Sequence, residues 1–295
     1  MTSVLYDAPG PKARRRSLIL SIIAAALILG GLGGLVLVLA APRQTGGGLV
    51  LPGMFDPSRW DIFLRASTWR VIGVGVLSTL RAAGLAAVVA ILLGIALSLL
   101  RSAGSRWITV PIGVILEFIR GIPVLLMMLF ILLVLSTGQY WAVVGALALY
   151  NGAIIGEALR AGLNSLPRGQ REAGLSIGLS PLRTRFLIEF PQAFRQMTPI
   201  IVAQLVVLLK DTSLGYIVGY NETLRVMMNN LSSFYGNRYL FSLFFVCLGI
   251  YLAINLTVSW FARLLSRRLT GPGGRDVRRD GRDAVELEPA AGSAV

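Results

Sequence analysis

Six runs of apolar residues divide the chain, and short polar or basic segments separate them. The runs cover residues 18–41, 71–100, 118–136, 141–159, 197–219 and 239–262. Each is close to the ~20 residues that an α-helix needs to cross the hydrocarbon core of a bilayer. Lipid-exposed backbone must satisfy its own hydrogen bonds, so spanning segments of this kind are helical. The pattern predicts an all-α polytopic membrane protein with about six transmembrane helices.

The basic residues between these runs predict how the chain is oriented. If the segment before residue 18 is cytoplasmic, then segments 101–120 and 160–196 and the C-terminal segment, residues 263–295, are cytoplasmic too. These four segments hold 20 Lys and Arg residues, whereas segments 42–70 and 220–238, on the other side, hold 6. Because short cytoplasmic loops are enriched in Lys and Arg, we expect both termini in the cytoplasm.

The same boundaries divide the chain into five parts. Residues 1–17 are predicted to form a cytoplasmic arm, and residues 18–41 the first transmembrane helix. Residues 42–70 form an external connector, in which an interfacial helix around Trp60 to Trp69 is one option. Residues 71–265 form the main transmembrane domain. The tail, residues 266–295, mixes Arg, Asp, Gly and Pro and has little to bury, so we expect disorder.

The composition narrows the possible chemistry. The chain is 55% hydrophobic and 14% charged, which agrees with a membrane protein. Its net charge of +14 follows the loop pattern above, so nucleic acid is not an expected partner. The chain has no histidine and one cysteine, Cys247 in the last apolar run, so we expect no metal site. The usual nucleophile and base pairs are missing as well, and no catalytic residues are predicted.

The chain also lacks an ATP site. A P-loop needs Gly, four residues, then Gly-Lys-Ser or Gly-Lys-Thr to cradle phosphates. Only Lys12 and Lys210 are lysines, and neither lies in that pattern. We therefore expect no cofactor bound by this chain.

Residues 160–196, called the long loop below, are too long for a simple connection and are not low in complexity. We therefore expect the long loop to have structure of its own. Residues 170–179 are predicted to form a short helix with Ala173 and Ile177 on one side and Gly174 as a further candidate for that side, and residues 182–190 a second one. A short helix of small and apolar residues suits docking into a groove on a cytoplasmic partner. Lying on anionic lipid is the alternative.

The long loop resembles the signature of the permease subunits of ABC importers. That signature reads Glu-Ala-Ala, three residues, Gly, nine residues, then Ile-x-Leu-Pro. Gly174 stands here for the second Ala, and Phe190 stands for the Leu. The residues at these spacings are Glu172, Ala173, Gly174, Gly178, Ile188, Phe190 and Pro191.

Further stretches resemble the polar amino-acid branch of this family, at residues 117–123, 157–162, 165–170 and 210–214. Residues 4–11 are similar to the start of actinobacterial glutamate permeases. The resemblance covers the chain from about residue 71 to residue 265.

The resemblance implies a type I ABC importer permease fold with a cytoplasmic coupling helix, in a bacterial cytoplasmic membrane. It implies two copies of a cytoplasmic ATPase, which bind ATP and Mg, a sister permease or a second copy of this chain, and an external substrate-binding protein. Membrane lipid surrounds the helices. Transport of a polar amino acid, with glutamate as the leading candidate, would proceed by alternating access. The ATPase-coupling residues would be Glu172, Ala173, Gly174, Gly178, Ser180 and Arg183.

Two cations lie inside predicted spans. Arg81 and Lys210 are each about 14–15 Å from the outer end of their span, given 1.5 Å of rise per residue in a core of about 30 Å. A charge at that depth usually faces a cavity or a partner. A substrate carboxylate is one such partner; the alternative is that Asp211 or Glu157 neutralises Lys210 and that Arg81 reaches the interface.

The neighbours of Lys210 complete the candidate substrate set. Asp211 is predicted as a structural partner or a cap at a helix break rather than a group that binds ammonium. Thr212 and Ser213 would satisfy backbone groups freed at such a break. Glu157 and Arg160, at positions i and i+3, are predicted to pair on one helix face as a structural bridge or a gate.

An ion-coupled secondary transporter is the main alternative function. Such a protein needs carboxylates or broken helices inside the membrane as its ion site. Only Asp211 is a deeply placed carboxylate, and no internal repeat is evident.

Overall fold

A computed structural model describes residues 10–44, 50–102 and 105–270. Residues 4–9 of the amino-terminal resemblance and residues 271–295 of the predicted disordered tail lie outside the described residues. Helix α1, Pro11–Ala40, covers the first apolar run and has no buried residue. After it come the two-residue strands β1, Arg43–Gln44, and β2, Val50–Leu51, which pair antiparallel. The all-α prediction is confirmed.

The described part of residues 42–70, the predicted external connector, folds into short turns rather than one interfacial helix. Two 3₁₀ turns, Pro57–Arg59 and Asp61–Leu64, precede helix α2, which begins at Ala66. Trp69, at the end of the predicted interfacial helix, already belongs to α2, and its indole donates a 2.8 Å hydrogen bond to the Phe63 carbonyl. Helix α2, Ala66–Arg101, is the second spanning segment.

The third apolar run is not a single straight helix, which corrects the predicted span over residues 118–136. Helix α3, Arg106–Gly121, occupies most of the predicted loop, and helix α4, Val124–Leu133, follows at an angle of 99°. The break falls at Ile122 and Pro123, where proline disfavours a helical conformation of the residue before it. Within the described residues, five helices are long and apolar enough to cross a membrane, or six if α3 and α4 count as one broken span.

The remaining helices frame the long loop and the C-terminal half. Helix α5, Gln139–Ser165, extends into the first residues of the long loop. The loop contains α6, Arg168–Ser176, α7, Pro181–Thr184, and a π-helical turn at Arg185–Glu189. Helix α8, Phe190–Asp211, follows without interruption and ends in a 3₁₀ turn, Thr212–Tyr216.

Short elements connect α8 to the last helix. They are α9, Thr223–Arg225, a π-helical turn, Val226–Leu231, α10, Ser232–Tyr235, and a 3₁₀ turn, Asn237–Tyr239. Helix α11, Leu240–Thr270, closes the described chain.

The core of the bundle lies where α2 packs on α5. Gly94 of α2 meets Ile155 and Gly156 of α5 so closely that a Cβ at Gly94 would lie 2.6 Å from Cγ2 of Ile155. Small residues let two helix backbones approach in a membrane, where packing rather than water drives association. This contact fixes α2 against α5 and so positions the elements at both ends of the bundle.

Candidate functional site

The long loop presents a short helix with an exposed apolar edge. Ala173 and Ile177 lie one helical turn apart at the end of α6, and both are exposed, Ile177 to 75%. Glu172 is exposed beside them, but it lies beyond the first turn of α6 and therefore does not sit at the positive end of the helix dipole. These three side chains are free to contact a partner.

Gly174 does not belong to that exposed edge, which corrects its assignment as a docking residue. It is buried, and a Cβ there would lie 2.5 Å from Cγ2 of Thr184 and 2.9 Å from Cδ1 of Ile188. Gly174 instead lets α6 pack closely on the second half of the long loop.

Gly178 and Ser180 lie in the turn between α6 and α7. Gly178 has a φ of +81°, a left-handed conformation that favours glycine, and its N–H bonds the Leu175 carbonyl at 3.0 Å. Ser180 caps α7 by accepting a 3.4 Å hydrogen bond from the Arg183 backbone N–H. Arg183 is itself exposed. The loop is thus a defined structure with two helix caps.

Glu157 and Arg160 form the predicted ion pair. Nε of Arg160 donates hydrogen bonds of 3.0 and 3.1 Å to the two carboxylate oxygens of Glu157. A second arginine, Arg101 at the end of α2, lies 3.4 Å from the same carboxylate. Glu157 therefore joins α2 to α5 near the long loop, and it does not neutralise Lys210.

The two candidate substrate cations do not share a cavity. Lys210 and Ser213 line a cavity of about 450 Å³ between α8, α9 and α11, together with Tyr251 and Asn255. Arg81 is exposed on α2 and is not among the residues that line it. Within the described residues Lys210 makes no ion pair.

The wall of this cavity is mostly apolar, with a few polar groups. Asn255 donates a 2.8 Å hydrogen bond from Nδ2 to the Tyr251 carbonyl. Its Oδ1 is buried and has no hydrogen-bond partner among the described residues. The ammonium group of Lys210 and the apolar walls could bind a small carboxylate with an aliphatic part.

The helix break after Lys210 has the predicted geometry in part. Thr212 donates a 2.6 Å hydrogen bond to the Leu209 carbonyl, and Ser213 donates one of 2.8 Å to the Lys210 carbonyl. These hydroxyls satisfy carbonyls freed where α8 tightens into its 3₁₀ turn. Among the described residues the side chain of Asp211 makes no capping hydrogen bond, so the cap is not formed, and its other predicted role, as a structural partner, stays a prediction.

A buried acidic residue, Glu222, escaped the sequence analysis because it lies in a segment predicted as an external connection. Its side chain is 0% exposed. It accepts hydrogen bonds of 2.7 Å from the backbone N–H groups of Leu224 and Arg225 and one of 2.6 Å from the hydroxyl of Tyr251. Burial raises the pKa of Glu222, and these three donors oppose the rise.

A second polar contact lies beside Glu222. Thr79 of α2 lies 2.8 Å from the hydroxyl of Thr223 and accepts a 3.0 Å hydrogen bond from the Thr223 N–H. These hydrogen bonds hold the segment between α8 and α11 against α2 through Thr79 and against α11 through Tyr251. The sequence feature that could have revealed this capped turn is the Glu-Thr pair at residues 222–223, since both residue types are favoured near helix N-termini.

Comparison with known proteins supports one family. Residues 90–271 match the model of the family described as "Binding-protein-dependent transport system inner membrane component". Glutamate transport system permease protein GluD of Corynebacterium glutamicum is 36% identical over 226 residues, covering 74% of this chain and 82% of that protein. A probable glutamine ABC transporter permease protein, GlnP of Bacillus subtilis, is 35% identical over 203 residues, covering 66% and 92%.

Solved structures agree with this relationship. A crystal structure of an amino acid ABC transporter with histidines superposes with a TM-score of 0.61 at 26% identity, covering 68% of this chain and 94% of that one. The MetNI methionine ABC transporter, at 16% identity and a TM-score of 0.59 over 70% of this chain and 99% of that one, shares the fold. The family match spans most of the chain, from the second half of α2 through α11, and on this ground the chain belongs to the binding-protein-dependent transport system inner membrane components.

Proposed function

We propose that this chain is the membrane-spanning permease subunit of an ATP-driven importer for a polar amino acid, with glutamate as the first substrate to test. The exposed edge of α6 is the observation that carries the proposal. Ala173 and Ile177 face away from the bundle, while Gly174, on another side of α6, packs on Thr184. A rigid helix with a free apolar edge suits insertion into a groove on another protein.

The partners follow from this role. Two copies of a cytoplasmic ATPase would dock on the long loops of two permeases, which are either two copies of this chain or this chain and a sister. ATP and Mg would be bound by the ATPase alone. An external binding protein would deliver the substrate, and lipid would cover the remaining helix faces. This arrangement places both termini in the cytoplasm of a bacterial cell.

The substrate is inferred from the relatives and from the cavity beside Lys210. GluD and GlnP are named for glutamate and glutamine transport. Lys210 is exposed and lines the cavity, so a carboxylate that enters the cavity can reach its ammonium group. We infer that Lys210 and Ser213 contact the substrate during alternating access.

An ion-coupled secondary transporter is less well supported. It needs an ion site inside the membrane, and the candidate carboxylate, Asp211, lies next to the cation Lys210. The family match favours the ATP-driven alternative.

A reconstituted complex tests the proposal. The chain would be co-expressed with a candidate ATPase and purified, and glutamate uptake would be measured in proteoliposomes with ATP and no ion gradient. ATP-dependent uptake is expected. Uptake that needs an ion gradient and ignores ATP would contradict the proposal and favour the secondary transporter.

One substitution tests the docking edge itself. Ile177→Glu places a charge at a predicted contact, and we expect ATPase binding to weaken by about thirtyfold, as for loss of a ~2 kcal/mol interface residue. Asn164→Glu is the matched control, because it places the same charge on an exposed residue of α5 outside the proposed contact. Equal ATPase binding by the two variants would count against α6 as the docking helix.

A further inference from the structure

Arg185 connects the long loop to a helix that does not flank it. Arg185 begins the π-helical turn, and its Nη1 donates a hydrogen bond to the backbone carbonyl of Ser102, 83 residues earlier. Its Nε lies 3.6 Å from Oε2 of Glu189, and the two side chains are only 20% and 13% exposed. A partly buried guanidinium therefore joins a carboxylate of the loop to the end of α2.

The chemistry of a helix end explains why this contact forms. The last carbonyls of a helix have no partner within the helix and carry its negative partial charge. A guanidinium satisfies such a carbonyl well, because it is always charged and presents several donors. Ser102 is the residue that caps α2. Arg185 thus supplies a donor to α2 from a distant part of the chain.

The loop helix rests on the segment that holds Arg185. Gly174 of α6 packs against Thr184 and Ile188, which lie on either side of Arg185 along the chain. Thr184 is fully buried in this contact region. Since packed side chains transmit strain, a displacement of α6 acts on Arg185 directly.

The end of α2 is in turn joined to α5. Nη1 of Arg101 lies 3.4 Å from the Glu157 carboxylate, which also binds Arg160. Gly113 of α3 lies against the Arg101 guanidinium, where a Cβ would be 3.2 Å from its Cζ. The long loop, the end of α2 and the end of α5 form a closed ring of contacts.

We propose that Arg185 is a positioning residue that makes α2 move together with the long loop, so that movement of the loop displaces α2 and α5 as one unit. This inference rests on the proposed function, in which an ATPase moves the loop. The chain itself links the loop only to α5 and α8. Through Arg185, α2 also moves when the long loop moves.

The test measures glutamate transported per ATP hydrolysed in proteoliposomes that contain the whole transporter. Arg185→Gln removes the charge and keeps a side chain of similar length. We expect ATPase binding and basal hydrolysis to persist, and transport per ATP to fall about five- to tenfold, the usual size of a coupling effect. Arg185→Lys keeps the charge and should recover most of the ratio.

Arg195→Gln is the matched control. Arg195 is exposed in the part of α8 that belongs to the long loop, and its side chain makes no hydrogen bond or ion pair with the described residues. Its loss should leave transport per ATP unchanged. An unchanged ratio in Arg185→Gln, or a loss of ATPase binding in that variant, would overturn the proposal. Failure of the proposed function looks different, because the unaltered transporter would then show no ATP-dependent uptake.

A covalent cross-link between α2 and the long loop tests whether restoring their connection restores transport per ATP. Ser102→Cys and Arg185→Cys are combined in a Cys247→Ala background, which removes the one native cysteine. Before cross-linking, transport per ATP should be as low as in Arg185→Gln. A short bis-maleimide that joins the two cysteines should raise the ratio again. If joining them abolishes the remaining transport, then α2 and the loop must move apart, and the proposal is wrong.

Discussion

The hydroxyl of Tyr251 on α11 donates a 2.6 Å hydrogen bond to the carboxylate of Glu222, which is the N-cap of the short helix α9. Glu222 is fully buried and also caps α9 by accepting from two backbone N–H groups. Tyr251 lines the cavity that contains Lys210. A single carboxylate therefore fixes both the connection between α8 and α11 and one wall of the candidate substrate site.

Replacing Glu222 should destabilise the chain. Glu222→Ala leaves the Tyr251 hydroxyl and two backbone N–H groups without their acceptor, and we expect a loss of about 2–3 kcal/mol from the lost cap and the buried unpaired donors. Thermal unfolding of the purified chain in detergent should show this as a fall in melting temperature of about 4 °C or more.

Tyr251→Phe removes the donor of the hydrogen bond whose acceptor Glu222→Ala removes. It removes one of three donors to Glu222 and leaves the cap of α9 in place. Its cost should be about 1 kcal/mol, the usual net worth of one hydrogen bond. In the double variant the two losses should not add, because the same bond is removed twice. Additive losses would mean that the bond contributes nothing.

Gly94 tests the contact between α2 and α5. Gly94→Ala places a Cβ 2.6 Å from Cγ2 of Ile155 and 3.1 Å from the Gly156 nitrogen. Overpacking of this kind typically costs about 1–3 kcal/mol, so the yield of folded chain and its melting temperature should fall. Gly84→Ala on the same helix meets nothing within 4 Å. That control should be neutral or slightly stabilising, because alanine favours helix. Equal effects of the two changes would show that α2 does not pack at Gly94 as described.

The sequence predicted the straight helices well, because hydropathy reports how long an apolar segment is. It placed the third span over residues 118–136, although Ile122 and Pro123 divide that region into α3 and α4. An average over a window does not register a change of direction. Pro123 was the visible sign of the break, since proline restricts the residue before it.

Contacts in the candidate sites could be predicted from the sequence only where the two residues lie close together along the chain. Glu157 and Arg160 lie three residues apart, so their pairing follows from helix geometry. The bond from Arg185 to Ser102 spans 83 residues and the bond from Tyr251 to Glu222 spans 29. No periodicity links such residues, and only the packing of the helices brings them together.

Gly174 tests how α6 is fixed to the rest of the long loop. Gly174→Ala puts a Cβ 2.5 Å from Cγ2 of the buried Thr184, so α6 should shift and transport per ATP should fall several-fold. Gly169→Ala, earlier in α6, meets nothing within 4 Å and should behave like the unaltered chain. Adding Thr184→Ser to Gly174→Ala removes the nearest clashing group and leaves only the movable Cδ1 end of Ile188 closer than 3.0 Å to the new Cβ, so most of the transport should return. If the double variant stays impaired, the contact with Thr184 does not explain the effect.

Lys210 decides whether the cavity between α8 and α11 binds substrate. Lys210→Met keeps the aliphatic stem and removes the charge, and the loss of a charge-assisted hydrogen bond of about 1.5–3 kcal/mol should raise the KM for glutamate at least tenfold. Lys210→Arg should retain most of the affinity, because the charge remains. Arg81→Met offers the comparison, since Arg81 does not line the cavity, and its KM should stay close to that of the unaltered transporter. Initial rates of uptake in proteoliposomes over a range of glutamate concentrations separate KM from kcat. A raised KM in Arg81→Met together with a normal one in Lys210→Met would place the substrate carboxylate at α2 instead, because only the cation that contacts the substrate changes its affinity when the charge is removed.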